Sequence, residues 1–543
     1  MKKVLELLAE SLDAHDVKEL FGLIGDANLY MVDAWVRRGN GRYTACAHEA
    51  SAVLAALGYA QVSGRTGVAT ITHGPALTNA ITALAEGVKG SIATVVLCGD
   101  TAPSDREHLQ NIDQRELVKS SGAGFVEMRT PETASEDLAR AFRRAALERR
   151  PVVFNMPSDL QWRETCAVPI VHAVPAARSA VVEGPDLDEA LGMIASAKRP
   201  FVIAGRGAIS PGARAAVSKL ARRMEAPLAT TLRAKGLFAD EQFDLGVLGT
   251  VGRNVVIEEV VKSDCIIAFG ASLGFLTTDS GKLVSGKRVV QVMGDTVASE
   301  RRADHGVLIV ADPELMAEKI VEILDLAEIA PSGATDADLA EALRREAEEY
   351  SEAIAFADTL PGTVDYVPAL RRIEQALPRG RILVSDVGRF AFAAWRNLTV
   401  DHPRNFVYSS NFASIGLGLG EAIGAARAEP EKLTVLLTGD GGFLMGGLTE
   451  LSTVARENMN LVILVFNDGS YGAEHIQFTA KNMAPDLSMI SPPDFSSIAK
   501  AMGLEAYCVS SPKALDDALE MLGSGRGPRL LDIRLDANRV RRD

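Results

Sequence analysis

The stretch Gly439–Gly472, GDGGFLMGGLTELSTVARENMNLVILVFNDGSYG, decides the fold. The apolar strand Leu433–Leu437 runs into Gly439-Asp440-Gly441-Gly442, a helical pattern follows, and a second apolar strand, Leu461–Phe466, ends in Asn467-Asp468-Gly469. Neither strand alternates apolar with polar residues, as expected for strands buried on both faces of a parallel sheet. In open parallel sheets ligands sit beyond the carboxyl ends of the strands, so both Gly-rich ends fall where a ligand belongs. Glycines permit close backbone approach, and the N–H groups opening the next helix suit an anion. If the strands are neighbours, Asp440 and Asp468 share one crevice. Two carboxylates and a backbone carbonyl make a hard oxygen site for Mg²⁺ or Ca²⁺ holding a phosphate. Taken singly, each is an ordinary strand-end turn.

The same alternation runs through the chain. TGVATIT, IATVVLC, PVVFNMP, PFVIAG, DCIIAFG, RVVQVMG and RILVSDVG are further strand-like runs separated by Ala-rich helical patterns, which gives an α/β class with doubly wound parallel sheets. Two irregular stretches, about 161–185 and from about 330, divide the chain into domains at 1–165, 186–330 and 360–543. The second leads into a charged helix, LAEALRREAEEYSEAIAFA. No short-period repeat is visible.

Composition narrows the function. The chain has 543 residues, more than one core usually supports. A formal net charge of −14 with no long basic run argues against a nucleic-acid surface. Five scattered cysteines without a CxxC pair argue against structural zinc and a disulfide framework, and fit a cytoplasmic setting. The start, MKKVLELLAESLDAHDV, reads as an amphipathic helix instead of a signal peptide, and no apolar run approaches a membrane span.

GDGG followed by Asn-Asp, with Asp440 and Asp468 28 positions apart, resembles the fingerprint of thiamine diphosphate-dependent enzymes: acetolactate synthases, 2-oxoacid decarboxylases, benzaldehyde lyase and oxalyl-CoA decarboxylase. The resemblance extends over nearly the whole chain. Tyr43–Ala80, with His48-Glu49-Ala50 opening an Ala-rich helix, is similar to the family's pyrimidine-binding domain. Asn411–Ala426 is similar to the segment that props the cofactor, and Pro200–Asp295 to the central domain, which binds FAD in some relatives and ADP in others. The resemblance implies three domains: pyrimidine-binding, central Rossmann-like and diphosphate-binding.

It also implies roles. Glu49 is the carboxylic acid that bonds the aminopyrimidine N1′, with Asn79 beside the cofactor. Ile415 is the wedge between the two rings, and the Ala413 carbonyl accepts from the 4′-amino group, next to Ser414. Gly388, Arg389 and Phe390 contact the diphosphate with Gly439, Gly441, Gly442, Tyr471 and Gly472. Asp440, Asp468 and the Ser470 carbonyl hold the metal ion, with Asn467 as the alternative ligand. Where relatives end in Asn-Asn, this chain has Asn467-Asp468.

On the substrate side, Gly25-Asp26-Ala27-Asn28-Leu29 resembles the pyruvate-type decarboxylases, in which the aspartate performs proton transfers. Their pair of adjacent histidines is missing. Instead His108–Val118, HLQNIDQRELV, resembles benzaldehyde lyase and acetolactate synthase, so Gln110 faces the substrate. His73 stands where relatives often have serine and is able to shuttle protons. Structural roles compete for Asp26, as a helix cap or turn residue, and for His73, as a backbone-bonded histidine. In the central domain Gly205-Arg206-Gly207 lacks the third glycine of GxGxxG and Met293 stands where nucleotide binders often have an acid, so FAD or ADP is not favoured there.

The implied activity is that of a thiamine diphosphate-dependent lyase or carboligase, acetolactate synthase-like, acting on a 2-oxo acid through an enamine/carbanion intermediate. Alternatives are a 2-hydroxy ketone, 2-hydroxyacyl-CoA or oxalyl-CoA type lyase, a nucleotide-dependent oxidoreductase, or a catalytically silent paralogue. The resemblance further implies a homodimer or homotetramer with the active site between subunits.

Overall fold

The structure is a computed structural model, and it describes all residues except 175–182, 295–305, 353–354, 358–359 and 541–543. The first inter-domain stretch therefore lies partly outside the described residues, as does Asp295. Each domain carries a six-stranded, all-parallel sheet. Lys2–Lys3 and Glu164–Thr165 form a separate antiparallel clip that closes the N-terminal domain.

With strands numbered by chain order inside each sheet, the N-terminal sheet runs 2-1-3-4-6-5, and so does the C-terminal sheet. The central sheet runs 3-2-1-4-5-6. The two outer domains are thus a structural repeat that no sequence period announces. All nine apolar runs form strands. The strands without such a run are mostly short or at sheet edges, among them Glu19–Gly22, Arg42–Ala45, Gly124–Glu127 and Phe406–Tyr408. The opening amphipathic pattern forms the helix Val4–Ala14, and the charged pattern after residue 330 forms Ala337–Ser351.

In the outer sheets the chain reverses direction between strands 1 and 3, which opens a crevice at their carboxyl ends. In the C-terminal sheet those strands are Ile382–Ser385 and Thr434–Gly439; in the N-terminal sheet they are Glu19–Gly22 and Gly67–Ile71. The residues that follow them are those of the candidate site.

The outer domains share one apolar core, which joins Leu54, Leu57 and Val96 to Ile423, Leu436 and Ile463. Its centre is the contact of helix Glu49–Ser63 with helix Gly418–Ala428. Glycines set this contact: a Cβ on Gly424 would lie 1.8 Å from the Ala55 carbonyl oxygen, and one on Gly58 would lie 2.0 Å from that of Glu421. Alanine at Gly424 would gain about 1 kcal/mol of helix propensity but would push the two backbones apart. Overpacking of this kind costs about 1–3 kcal/mol. Gly424→Ala is therefore expected to be net destabilising, read as a lower urea midpoint at unchanged slope.

The central domain is tied to both neighbours by cations on backbone carbonyls. Arg206 donates to Gly90 O (2.5 Å) and Ser91 O (3.2 Å), and Arg233 to Gly90 O (2.7 Å). Arg396 of the C-terminal domain donates to Gly252 O (2.7 Å). No described helix is long and apolar enough to cross a membrane. All five cysteines are free thiols.

Candidate active site

Strands Thr434–Gly439 and Leu461–Asn467 are hydrogen-bonded neighbours, with Gly439 in register with Phe466. Asp440 and Asp468, one and two residues beyond that pair, consequently open into one crevice. Asp440 Oδ1 accepts from Gly441 N (2.9 Å) and Oδ2 from Gly469 N (2.8 Å), so each strand end is tied to the other. Asp468 Oδ1 accepts from Ser470 N (3.0 Å) and Ser470 Oγ (2.7 Å). Burial, and then the Asp468 charge, raise the Asp440 carboxyl to about 7. Burial likewise raises Asp468. Two buried carboxylates that repel each other call for a cation between them. Part of that role falls to Arg389, whose Nη2 lies 3.1 Å from Asp468 Oδ2 and also donates to Ala537 O. Its Nε is buried without a partner.

Asn467 is directed elsewhere. Its Nδ2 donates to Asp532 Oδ1 (2.8 Å) inside the sheet, and that bond holds its amide away from Asp440. Strand alternation is the reason, because successive side chains leave opposite faces of the sheet.

Around the carboxylates a set of glycines forms a cradle in which backbone and side chains pack closely. A Cβ on Gly441 would come within 2.8 Å of the Tyr471 ring, and one on Gly442 within 3.1 Å of both Asp386 Oδ2 and Gly416 N and 3.5 Å of Ile415 Cβ. Phe390 closes on Gly388 and Gly439, and Arg389 and Asp468 close on Gly472. Tyr471 N donates to Ser488 O (2.8 Å), leaving the ring on the rim. Ala413 takes φ 58°, a left-handed conformation costly for a residue with a Cβ, and it redirects the chain so that Ser414 and Ile415 stand at the cradle.

Two acids absent from the sequence reading fix that segment. Glu86 accepts from Asn411 N (2.8 Å) and Phe412 N (2.6 Å) across the domain boundary. Asp386, fully buried at the end of strand Ile382–Ser385, accepts from Val387 N (2.8 Å), Gly416 N (3.0 Å) and Thr438 Oγ1 (3.2 Å). Burial raises its carboxyl to about 6. The strand-end Ser-Asp pair was a usable signal for Asp386. Nothing local marks Glu86, whose partners lie more than 300 residues away.

Glu49 is the first residue of its helix, capped by His48, whose Nδ1 accepts from Ala50 N (3.1 Å). Asn79 Nδ2 donates to Glu49 Oε2 (3.0 Å), so these two predicted residues do meet. Glu450 holds the approach to Glu49 by accepting from Ala47 N and His48 N, both at 3.0 Å. Among the described residues the Glu49 carboxylate is hydrogen-bonded within its own domain, not to the cradle.

The N-terminal crevice gathers the remaining residues. Asp26 follows strand Glu19–Gly22, His73 follows Gly67–Ile71, and the 108–110 segment follows Thr94–Asp100. His73 Nδ1 is 3.6 Å from Asp26 Oδ1, and the His73 and His108 rings lie 5.1 Å apart. Asp26 is not the cap of the following helix; Asn28 stands there, its Oδ1 accepting from Gly25 N (2.7 Å). The Gln110 backbone packs on Gly74, where a Cβ would meet its carbonyl oxygen at 2.4 Å. Gln114 locks this arrangement, accepting from Gly74 N (2.8 Å) and donating to Gly99 O (2.9 Å) and Asn155 Oδ1 (2.7 Å).

The central domain has a cleft of about 640 Å³ at its strand ends, lined by Lys89, Arg206, Arg233 and Asp312, with Met293 and Gly294. Gly205 and Gly207 let this backbone pack against that of Gly270.

Comparison with known proteins decides the family. Residues 2–117 match the N-terminal TPP-binding domain of thiamine pyrophosphate enzymes, 187–320 their central domain, and 386–533 their C-terminal TPP-binding domain. The chain belongs to the thiamine pyrophosphate enzymes. Its three-domain α/β architecture is that of the family. The "Probable acetolactate synthase large subunit" of Methanococcus aeolicus is 27% identical, covering 98% of this chain and 92% of that protein. The "Acetolactate synthase isozyme 2 large subunit" of Escherichia coli (strain K12) is 28% identical over 97% and 95%. The "Sulfoacetaldehyde acetyltransferase" of Alcaligenes xylosoxydans xylosoxydans is 26% identical over 95% and 89%. The residues present suit the family's cofactor: Asp440, Asp468 and the Ser470 carbonyl make a hard oxygen donor set suited to a divalent cation, and the buried Arg389 Nε beside them has no hydrogen-bond partner among the described residues.

Proposed function

We propose that this thiamine pyrophosphate enzyme is a lyase or carboligase that acts on a 2-oxo acid, acetolactate synthase-like in its chemistry. The observation that carries the reading is the pairing of Asp440 with Asp468 beneath a glycine cradle, in a chain that also holds the Glu49–Asn79 pair. Bound thiamine diphosphate supplies a carbon nucleophile that adds to a carbonyl and takes up the electrons released when the adjacent C–C bond breaks.

The chain's own residues prepare that step. Asp440, Asp468 and the Ser470 carbonyl would hold Mg²⁺, the charge partner of the diphosphate. Gly441, Gly442, Gly439, Gly388 and Gly472 keep the backbone close, with Arg389, Phe390 and Tyr471 around them. Asp386 and Glu86 pin the 411–416 segment, which sets Ile415 as the wedge and presents the Ala413 carbonyl. Glu49 holds a proton toward the pyrimidine ring, while Asn79 occupies its other oxygen. Asp26 and His73 move protons on the substrate side, with Gln110 as a polar contact.

The reading includes a homo-oligomer. Phe412, Leu444, Met445 (60% exposed), Tyr471 (43%) and Leu487 (78%) leave apolar surface beside the cradle. Exposed apolar side chains gathered near a functional site suit a partner surface. A second copy covering it would bring a Glu49 to each cradle.

The test is direct. With thiamine diphosphate, Mg²⁺ and pyruvate, time-resolved proton NMR of the purified protein is expected to show acetolactate, acetoin or acetaldehyde. Pyruvate left untouched would exclude it as the donor and direct the search to larger 2-oxo acids, 2-hydroxy ketones or acyl-CoA compounds.

A further inference from the structure

A cavity of about 280 Å³ lies where the central domain meets the C-terminal domain, and five ionisable side chains line it: Lys235, Asp244, Arg253, Glu346 and Arg396. Lys235 follows the short helical turn Leu232–Ala234 and is 8% exposed. The next residue fixes its place. Gly236 takes φ 81°, and a Cβ there would lie 2.4 Å from Val400 O, so this turn rests directly on the backbone of the C-terminal domain. Lys235 Nζ reaches across the boundary and donates to the Trp395 carbonyl oxygen. A neutral carbonyl is a poor counterpart for a buried ammonium, and among the described residues no carboxylate forms an ion pair with it. The other four groups are engaged with backbone instead of with one another. Asp244 Oδ1 accepts from Gly246 N (2.9 Å), and Glu346 Oε1 from Val255 N (3.2 Å). Arg396 Nη2 donates to Gly252 O (2.7 Å), and Arg253 Nη2 to Arg396 O (3.5 Å). Arg396 Nε is buried without a partner.

We propose that Lys235 is a carbamylation site: its amine takes up CO₂ in this cavity, and Arg253 and Arg396 hold the resulting carbamate. The step balances. The neutral amine adds to the carbon of CO₂, an N–C bond forms, one C=O electron pair moves onto oxygen, and one N–H proton leaves to solvent. No oxidant or further reactant is needed. Burial favours the neutral amine that the step requires. It lowers the Lys235 ammonium to about 7; Arg253 and Arg381 add to the effect, and Glu374 and Asp244 oppose it. An ordinary lysine keeps its proton to about pH 10.4, so at neutral pH Lys235 presents on the order of 10³ times more free amine. Carbamate formation turns the charge at this point from positive to negative. Arg253 of the central domain and Arg396 of the C-terminal domain then share an anionic partner, where the ammonium faced only a carbonyl. Burial raises the Asp244 carboxyl to about 6 and raises Glu346 too, which weakens their repulsion of the new anion. Loading therefore fastens the two domains to each other. The site is separate from the cofactor cradle and independent of the 2-oxo acid reading, since it needs only dissolved CO₂.

Two measurements on the full chain test the site. The parent protein is incubated with ¹³C-bicarbonate and CO₂ near neutral pH, alkylated with triethyloxonium, digested and read by mass spectrometry. An ethoxycarbonyl group is expected on Lys235, at about 10-fold or higher occupancy than on Lys513, an exposed lysine paired with Asp517. Occupancy at Lys235 no higher than at Lys513 would overturn the proposal. In the ¹³C NMR spectrum of the same mixture a carbamate resonance is expected, and most of it should vanish in Lys235→Arg. That variant keeps the positive charge and a donor for the Trp395 carbonyl, so the link between domains survives, while a guanidinium stays protonated and takes up no CO₂. A carbamate resonance of equal strength in both proteins would overturn the proposal, and so would bicarbonate bound in the cavity with no carbamate formed.

Discussion

Glu49→Gln is expected to slow exchange of the cofactor's C2 proton by about 10²–10⁴-fold, the range contributed by a positioned acid–base group. The substitution preserves shape. Gln retains an oxygen that accepts from Asn79 Nδ2, a bond of 3.0 Å, and the residue sits at a helix start that His48 already caps. Stability should therefore move by no more than about 0.5 kcal/mol, as for other partly exposed positions. The effect falls on chemistry because an amide cannot give up or regain the proton. Exchange is measured by acid-quenched proton NMR in D₂O with thiamine diphosphate and Mg²⁺ present. Exchange at the parent rate would remove Glu49 from its role. A fall in thermal stability matching the fall in exchange would assign it a structural one.

Asp440→Asn is expected to remove most Mg²⁺-dependent cofactor binding, by about 100-fold or more in apparent affinity, because an amide replaces a charged hard ligand between two strand ends. A pH signature accompanies the loss. In the metal-free protein the Asp440 carboxyl is raised to about 7, and Asp468 is raised too, so the folded chain keeps protons that the unfolded chain releases. Stability from these groups is then greatest below the ordinary carboxylate range and declines as pH rises toward 7, by at most about 1.4 kcal/mol per pH unit for each proton. Mg²⁺ competes with those protons and relieves the repulsion. The rise in Tm produced by Mg²⁺ should accordingly be larger at pH 8 than at pH 5.5. Asp440→Asn should flatten that difference. A pH-independent Mg²⁺ effect in the parent protein would contradict the two-carboxylate site.

The two carboxylates were legible in the sequence because both sit at ends of long apolar strands, and strand ends in a parallel sheet point at one edge. Asn467 was not separable from Asp468 on that basis. Adjacent residues leave opposite faces of a strand, and only the pairing of Asn467 with Asp532 shows which one faces the sheet interior. Of the edge strands, Arg42–Ala45 was silent because it is only partly buried and carries no continuous apolar run, and Phe406–Tyr408 because three residues are too few to stand out. Glu86, Glu450 and His108 were missed for a different reason: their partners are loops remote in sequence or fixed by backbone atoms, which carry no residue code.

The sequence alone determined the parallel α/β class and three domains' worth of strands, and placed Asp440 and Asp468 at strand ends, because strand burial and turn chemistry are local and repeat along the chain; Glu49 was marked only by the family resemblance. Tertiary structure alone decided how the outer domains share one core through Gly58 and Gly424. It also decided which acids pin Ile415, and that Asp26, His73 and His108 converge. Those outcomes depend on backbone approach and long-range hydrogen bonds, and both exist only once the sheets have packed.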